Sequence, residues 1–315
     1  MTGGAGFIGS HVVDLLLSNG FSVKVLDNLY SGSLENLSQA FSKPNFSFSK
    51  GDVRDQDLLY KLAKGCNCII HLAALVNVEE VNVNPVLAYD VNVLGTLNVL
   101  EACRKCDVDI LVYSSSCAVY GEAVKLPIDE DHPQRPKSIY GATKLASEAL
   151  INSYAESYGV KAYILRFFNV YGPRMKTGQY AGVIHIFIAR ALNNQPLIIY
   201  GDGEQTRDFI YIADVAESCL TALTSNKPGI YNIGTGEATT INQLAEVIKL
   251  LTNSKVAVVY EAQRTGDIKK SQAKVDKAHS VLGWKAKHSL KQGLLRTIDW
   301  YKQCSASAKD KPSIY

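Results

Sequence analysis

The chain reads as an α/β protein: a doubly wound parallel sheet followed by a smaller, mixed C-terminal region. Three observations predict this. Apolar strand-like runs alternate with helical patterns through the first half. One run, Cys68-Ile-Ile-His-Leu-Ala-Ala74, is nearly continuous in apolar character, as befits a strand buried on both faces. A glycine-rich turn, Gly3-Gly4-Ala5-Gly6-Phe7-Ile8-Gly9, runs straight into a helical pattern. With 315 residues, 47% hydrophobic and 20% charged, the chain can build full cores in about two domains. Residues 1–172 are expected to form the sheet domain, with 208–236 returning to it, and 173–315 the second domain.

Each element follows from local pattern. Residues 7–18 have helical spacing and stop at Asn19-Gly20, a C-cap signal. A strand over 21–26 ends at Asp27. Residues 30–39 are a polar loop with one turn of helix, and 46–48 alternate and lead into Gly51-Asp52-Val53. After the 68–74 strand come a long helix over 85–106 and a strand over 109–113 that opens onto Ser114-Ser115-Ser116. A polar loop reaches Ser138, followed by a helix over 140–158 and a strand over 161–168. Beyond Arg174 the rhythm breaks. Residues 183–192 look helical and 197–200 form a short strand; 209–223 and 229–234 return to the main sheet. Stretches 240–251, 256–260 and 273–282 are smaller elements, and the polar tail 305–315 is expected to fray.

The bulk numbers exclude several classes. The net charge is +3 with no long basic run, so neither nucleic acid nor a membrane surface is an expected partner. No apolar run approaches a membrane span of ~20 residues, and Met1 precedes glycines rather than a signal peptide, so a cytoplasmic location is expected. The seven cysteines are an odd number, which argues against a disulfide framework. Cys66, Cys68, Cys103 and Cys106 could meet in such a fold, but a Cys-x-Cys pair at a strand start is poor zinc geometry. They are read as core residues, and no metal is expected.

The glycines carry the first functional signal. Gly3 allows the tight turn, Gly6 lets a pyrophosphate approach the backbone, and Gly9 allows close packing of the helix; that helix's N-terminus attracts phosphate. Asp27 ends a strand about 20 residues on, where an acid accepts both hydroxyls of an adenosine ribose and repels a 2′-phosphate. NAD is therefore the expected cofactor. Tyr140-Gly-Ala-Thr-Lys144 places a phenol and an ammonium one helical turn apart. The ammonium and a bound nicotinamide cation can stabilise a phenolate, which then takes a proton from a sugar hydroxyl. Hydroxyls at the end of the 109–113 strand can reach the same alcohol.

These motifs occur in a recognisable order: the Thr2–His11 glycine stretch, Asp27-Asn28, His71-Leu-Ala-Ala74, Asn92-x-x-Gly-Thr96, Ser114-Ser-Ser-Cys-Ala-Val-Tyr-Gly121, Tyr140-x-x-x-Lys144 and Arg166-x-x-Asn169-Val-Tyr-Gly-Pro-Arg174. Over nearly its whole length the chain resembles the extended short-chain dehydrogenase/reductases, within them the nucleotide-sugar epimerase/dehydratase family, and most its UDP-galactose 4-epimerase branch. The resemblance implies a Rossmann fold and a homodimer formed by the helices at 85–106 and 140–158. It makes Tyr140 the base, Lys144 the ligand of the nicotinamide ribose that lowers the phenol pKa, and Ser116 the partner of the reacting hydroxyl. It places Phe7, Ile8, Asp27, Asn28, Asp52, Val53, Leu72, Ala73, Ala74, Asn92 and Ser114 around NAD. It assigns Asn169, Gly182, Val183, Ile184, Arg207, Arg264 and Asp267 to the UDP-sugar.

Dehydratases of the family carry Asp-Glu where this chain has Ser116-Cys117, so the implied net reaction is 4-epimerisation through a transient 4-keto sugar. Seven residues after Arg264 stands Ser271, at a position where the family's bulky residues exclude 2-acetamido sugars. Its small side chain implies activity on UDP-GlcNAc and UDP-GalNAc beside UDP-glucose and UDP-galactose. Val76 and Phe167 depart from some hexose epimerases, which have lysine and tyrosine there. Rival readings are a UDP-glucuronate 4-epimerase, a catalytically silent NAD-binding sensor and a plain NAD dehydrogenase. Relatives also have several residues of central first strand before the glycines, where this chain has only Met1 and Thr2. A truncated first strand is therefore expected, leaving buried backbone groups unpaired at ~1–3 kcal/mol each. The natural protein is expected to start a few residues earlier, or the chain as given to be less stable.

Overall fold

The computed structural model describes residues 1–175, 182–263 and 266–309. The glycine loop leads into α1 (Phe7–Ser18), which buries Val12, Val13, Leu16 and Leu17 and ends at Asn19. β1 (Val23–Asp27) pairs in parallel with β2 (Phe46–Lys50). α2 (Gln56–Ala63) was not anticipated from sequence. Asp55 caps it by accepting the Leu58 amide at 3.0 Å, and Leu59 and Ala63 turn inward. β3 (Cys68–His71) ends earlier than the apolar run suggests, because Leu72 to Ala74 leave the sheet.

α3 (Val78–Val83), also unanticipated, precedes α4 (Pro85–Tyr89) and α5 (Gly95–Lys105). The last two are joined through a π turn, Asp90–Leu94, so the helix expected over 85–106 has one widened turn. By length and a mean hydropathy of 1.2, Pro85–Lys105 does meet the criteria for a membrane crossing, contrary to the sequence expectation; 56% of that window is buried inside the protein, as in a core helix. β4 (Ile110–Ser116) runs through all three serines rather than stopping before them. α6 (Ile139–Tyr158) begins at Ser138, which accepts the Gly141 amide, and ends at Gly159 with φ 72°. β5 (Lys161–Phe167) completes the first half.

β6 (Asn169–Tyr171), α7 (Val183–Leu192), β7 (Leu197–Tyr200), β8 (Thr206–Arg207) and β9 (Phe209–Tyr211) follow. Then come α8 (Ile212–Thr224), β10 (Gly229–Ile233), β11 (Thr239–Thr240), α9 (Ile241–Thr252), β12 (Val258–Glu261) and α10 (Leu290–Lys309). The element expected over 273–282 is a bridge residue at Ala273 followed by a short helical stretch over 276–282, whose last five residues, Ala278–Leu282, form a π turn. One correction belongs here. The tail expected to fray from 305 is helical as far as Lys309, whereas 310–315 lies outside the described residues.

The main sheet is parallel, in the order β2-β1 and β3-β4-β5-β10. The two parts are joined by a stub of first strand: Thr2 pairs with both Leu26 and His71. The Thr2 amide donates to Ile70 O at 3.0 Å, Leu72 N to Thr2 O at 3.2 Å and Gly3 N to Leu26 O at 2.9 Å. Leu26 N also donates to Met1 O at 2.9 Å, so two residues hold the centre of the sheet and the backbone groups expected to be unpaired there find partners. One face of the sheet packs on α1 and α8 through Val112, Tyr163 and Leu165; the other packs on α2, α5 and α6 through Leu111, Tyr113 and Ile164.

Three histidines, His71 and His185 buried and His11 half-buried, are held well below the ordinary imidazole value by desolvation: His71 at about 3, His11 and His185 at about 4. His71 bridges Thr2 Oγ1 at 2.7 Å and Thr96 Oγ1 at 3.0 Å, and so ties the stub to α5. Below about pH 6.5 the unfolded chain binds protons at these sites that the folded protein does not. Stability is therefore expected to fall as pH drops from about 6.5 towards 4. Melting temperatures measured across that range check this, and a flat profile would contradict it.

Candidate active site

The glycine loop is a cradle that side chains would fill. A Cβ on Gly3 would lie 2.6 Å from the Ala73 amide nitrogen, and one on Gly9 2.1 Å from Gly3 O. Gly9 therefore lets α1 pack on Gly3 and Gly4, the part of the loop that stands in for a longer strand. A Cβ on Gly6 meets only Gly3 O, at 3.3 Å, so space beside it is otherwise open. Gly6 is the N-cap of α1 and no side chain caps that helix, which leaves its first-turn amides to a ligand.

Asp27 is buried at the end of β1. Its two oxygens accept the Ala5 amide at 2.9 Å and the Leu29 amide at 2.8 Å, and each keeps a lone pair. Asn28 donates to Asp52 at 2.8 Å. Arg54, which sequence reasoning missed, grips Asp52 with two bonds of 2.9 Å and holds its carboxyl down at about 2. Its signal was available as Asp-x-Arg directly after β2. Val53 packs beneath Gly95, and Leu72, Ala73 and Ala74 form the half-buried loop after β3. The Asn92 amide is committed to the Leu75 backbone and to Thr143 Oγ1, so its side chain braces the loop rather than facing it.

Ser116, Tyr140 and Lys144 converge where β4 meets the start of α6. The Tyr140 phenol lies beside Ser116, close enough for that hydroxyl to act on its proton affinity. Lys144 is 2% exposed and donates to Ser114 O at 2.7 Å, with its ammonium 6.0 Å from the Tyr140 ring centre. The expected lowering of the phenol pKa is not produced by these groups. Burial pushes Tyr140 up to about 12, against the pull of Ser116, and burial brings Lys144 down to about 7, against the pull of Glu148. The ammonium is aimed at the strand carbonyl rather than at the phenol oxygen.

A cavity of about 720 Å³ opens between the loop after β3 and the C-terminal region. Asn169, Val183, Arg207 and Asp267 line it, together with Glu79, His185, Tyr200 and Gln205, which sequence reasoning did not pick out. Their positions carry no local spacing signal. Asn169 Oδ1 is buried with no hydrogen-bond partner among the described residues. Arg207 donates to Thr206 O at 2.8 Å and Ile268 O at 2.7 Å, and burial lowers its pKa. It also lies near enough to Cys117 for its charge to act on that thiol, which Ser116 and Ser271 flank closely enough to act on it too. Arg207 thus links the cavity to the Ser116–Tyr140 cluster, and Ser271, 6% exposed, belongs to that cluster. Val76 lines the cavity rim and is exposed; Phe167 is buried in the core. Gly182 is the exposed N-cap of α7, and Ile184 is 2% exposed in the core, so its side chain does not reach the cavity. Arg264 lies outside the described residues.

Of the four cysteines weighed for zinc, Cys66 Sγ donates to Leu62 O and Cys106 Sγ to Tyr60 O, while Cys103 is buried in the core and pushed up to about 12. Among the described residues no group of three or more histidine, cysteine or acidic side chains could hold a metal.

Residues 1–297 match the family model described as GDP-mannose 4,6 dehydratase. The chain belongs to the extended short-chain dehydrogenase/reductases, in the NAD-dependent nucleotide-sugar epimerase/dehydratase family. A protein of Methanocaldococcus jannaschii, provisionally named UDP-glucose 4-epimerase, is 46% identical over 96% of this chain and 97% of its own. The UDP-glucose 4-epimerase of Thermotoga maritima, solved with UDP-glucose, superposes with a TM-score of 0.92 at 38% identity, over 96% of this chain and 98% of its own. The UDP-N-acetylglucosamine 4-epimerase of Methanobrevibacter ruminantium, solved with UDP-N-acetylmuramic acid, gives 0.92 at 37% identity, over 96% and 97%. The Thermus thermophilus UDP-glucose 4-epimerase, solved with NAD, gives 0.86 at 38% identity, over 96% and 97%. As a member of this epimerase/dehydratase family the chain is an NAD-dependent enzyme, and its uncapped α1, glycine cradle and strand-end Asp27 fit that dinucleotide.

Proposed function

We propose that the protein is a UDP-hexose 4-epimerase that interconverts UDP-glucose with UDP-galactose and UDP-GlcNAc with UDP-GalNAc. The observation that carries this is the cluster that brings Tyr140 beside Ser116 and Lys144, with no carboxylate at Ser116 or Cys117 to drive loss of water. Arg207 at the mouth of the cavity offers a permanent, forked donor for a sugar diphosphate. The relatives with epimerase names support the same reaction class.

NAD, held by the glycine loop and Asp27, supplies reversible hydride acceptance at the sugar carbon. Everything else falls to side chains. Tyr140 takes the proton of the sugar 4-hydroxyl and returns it after the face has changed, so the protein ends each cycle as it began. Ser116 holds the reacting oxygen against the phenol. Lys144 keeps a positive charge beside the developing phenolate. Arg207 and Asn169 hold the nucleotide end while the sugar turns.

Purified protein incubated with each UDP-sugar, without added NAD, tests the reading. Epimer formation is expected. Turnover only with stoichiometric NAD points to a dehydrogenase, activity confined to UDP-glucuronate to the uronate epimerase, and no turnover to a sensor. Ser271→Tyr is expected to cut activity on the acetamido pair at least tenfold while sparing UDP-galactose, because the new ring fills the space beside Cys117. Full activity of that variant on UDP-GlcNAc would sink the size argument.

A homodimer through α4, α5 and α6 is part of the same proposal. Val83, Val86, Tyr89, Leu94 and Tyr158 are exposed on these elements or beside them. A mass near twice 34.4 kDa is expected in solution, with Val86→Glu shifting it to the monomer. A monomer at every concentration argues against it.

A further inference from the structure

A buried ionic network lies directly behind the Ser116–Tyr140–Lys144 cluster, and the reaction proposed above makes no use of it. Glu148 is four residues beyond Lys144 on α6, hence on the same face of the helix. Arg166 on β5 is wholly buried and grips Glu148 with two bonds, Nε to Oε1 at 3.0 Å and Nη2 to Oε2 at 2.6 Å. The remaining guanidinium nitrogen donates to Tyr120 Oη at 2.8 Å and Glu130 O at 2.9 Å. Tyr120 donates its hydroxyl to Asn232 Oδ1 on β10 at 2.6 Å. Glu148 Oε1 also accepts the Ser115 hydroxyl.

Ser115 is the middle of three consecutive β4 residues. The carbonyl of Ser114, on one side, receives the Lys144 ammonium at 2.7 Å. The hydroxyl of Ser116, on the other, lies beside the Tyr140 phenol and acts on it. Glu148 thus holds the strand end to the helix that carries both Tyr140 and Lys144. A buried ion pair is weak evidence for stability, since its desolvation offsets much of its attraction. Its place beside the reacting groups asks for another reason.

We propose that Glu148, anchored by Arg166 and Ser115, is a positioning residue for Lys144: its carboxylate keeps the buried ammonium charged and seated on the end of β4. This rests on the epimerase reading for its consequence in turnover, but not for the state of Lys144 itself. The other groups facing the ammonium cannot do this. From β4 it meets the Tyr113 ring at 4.8 Å, from α6 the Tyr140 ring at 6.0 Å, and from β3 the neutral His71. Asn92 of the π turn and Thr96 of α5 are uncharged. Burial lowers the Lys144 pKa to about 7, and Glu148 is the one group that raises it. With that carboxylate in place Lys144 stands at about 7; without it the side chain would lose its proton below neutrality.

The test follows Lys144 directly, in NAD-loaded protein with labelled lysine. The side-chain resonance absent from Lys144→Met identifies the residue, and its titration is read by NMR in wild type, Glu148→Gln and Glu148→Asp. In Glu148→Gln the midpoint is expected to fall by at least one pH unit, and Glu148→Asp should restore part of the shift. In turnover, the alkaline limb of kcat should move to lower pH by a similar amount, with KM changed less than twofold. If Glu148→Gln does not fold, the paired replacement Glu148→Leu with Arg166→Met removes both charges and is expected to shift Lys144 in the same direction. A folded variant whose Lys144 midpoint stays within 0.3 unit of wild type overturns the proposal. Absence of turnover in the wild type counts against the epimerase reading alone, because the NMR midpoint still decides the role of Glu148.

Discussion

Replacing Tyr140 by phenylalanine is expected to lower kcat by roughly two to four orders of magnitude, the usual contribution of a positioned acid–base group. The substitution removes one oxygen from a half-buried ring and leaves the rest of α6 as it is, so NAD retention and melting temperature should stay near wild type. KM for the UDP-sugar should also hold, because Arg207 and Asn169 lie on the cavity side of the site. The physical case rests on where the phenol sits. Burial pushes it up to about 12, so it is no base at neutral pH until positive charge is brought to bear. Lys144, at about 7, is poised between its charged and neutral forms. Activity should therefore fall on the alkaline side as Lys144 loses its proton. Steady-state rates between pH 6 and 10 measure both effects. A Tyr140→Phe enzyme with more than a tenth of wild-type kcat would remove the phenol from the chemistry.

The second large effect is a contrast between two glycines of the same loop. Gly9→Ala places a Cβ 2.1 Å from Gly3 O and 2.8 Å from Gly4 Cα, both backbone atoms that cannot rotate away. The loop or α1 must move. A loss of about 1–3 kcal/mol is expected from the overpacking, with NAD binding lost as well. Gly6→Ala meets only Gly3 O, at 3.3 Å, and φ there is −75°, which any residue adopts. Its melting temperature should change little, while NAD affinity drops at least tenfold because the methyl occupies the approach to the first-turn amides. Thermal unfolding with and without NAD separates the two. Equal melting temperatures for both variants would show that the close approach of α1 to the loop does not support the fold.

Much of this site was legible in the sequence because its signals are local. Gly3, Gly6 and Gly9, and the Tyr140–Lys144 pair, are defined by spacings of three or four residues, and Asp27 by its place at a strand end. The alternation of strands and helices placed them at the carboxyl ends of a parallel sheet's strands. What local pattern could not show were partners distant in sequence. His71 bonded to Thr2 and Thr96, and Glu148 joined to Arg166, Tyr120 and Asn232, each bring together residues from elements that share no periodicity. The short helices α2 and α3 escaped for a simpler reason: fewer than three turns leave little periodicity to read.

The sequence by itself therefore determined the fold class, the family and the cofactor, because those rest on residue type and spacing. Only the tertiary structure decided the condition of the site residues. It showed that two residues, Met1 and Thr2, bridge the middle of the sheet, and that Ile184 faces the core. It also showed that burial raises Tyr140 and lowers Lys144. Charge states in a low-dielectric interior depend on which groups the fold brings within a few ångströms, and a linear order of residues does not contain that distance.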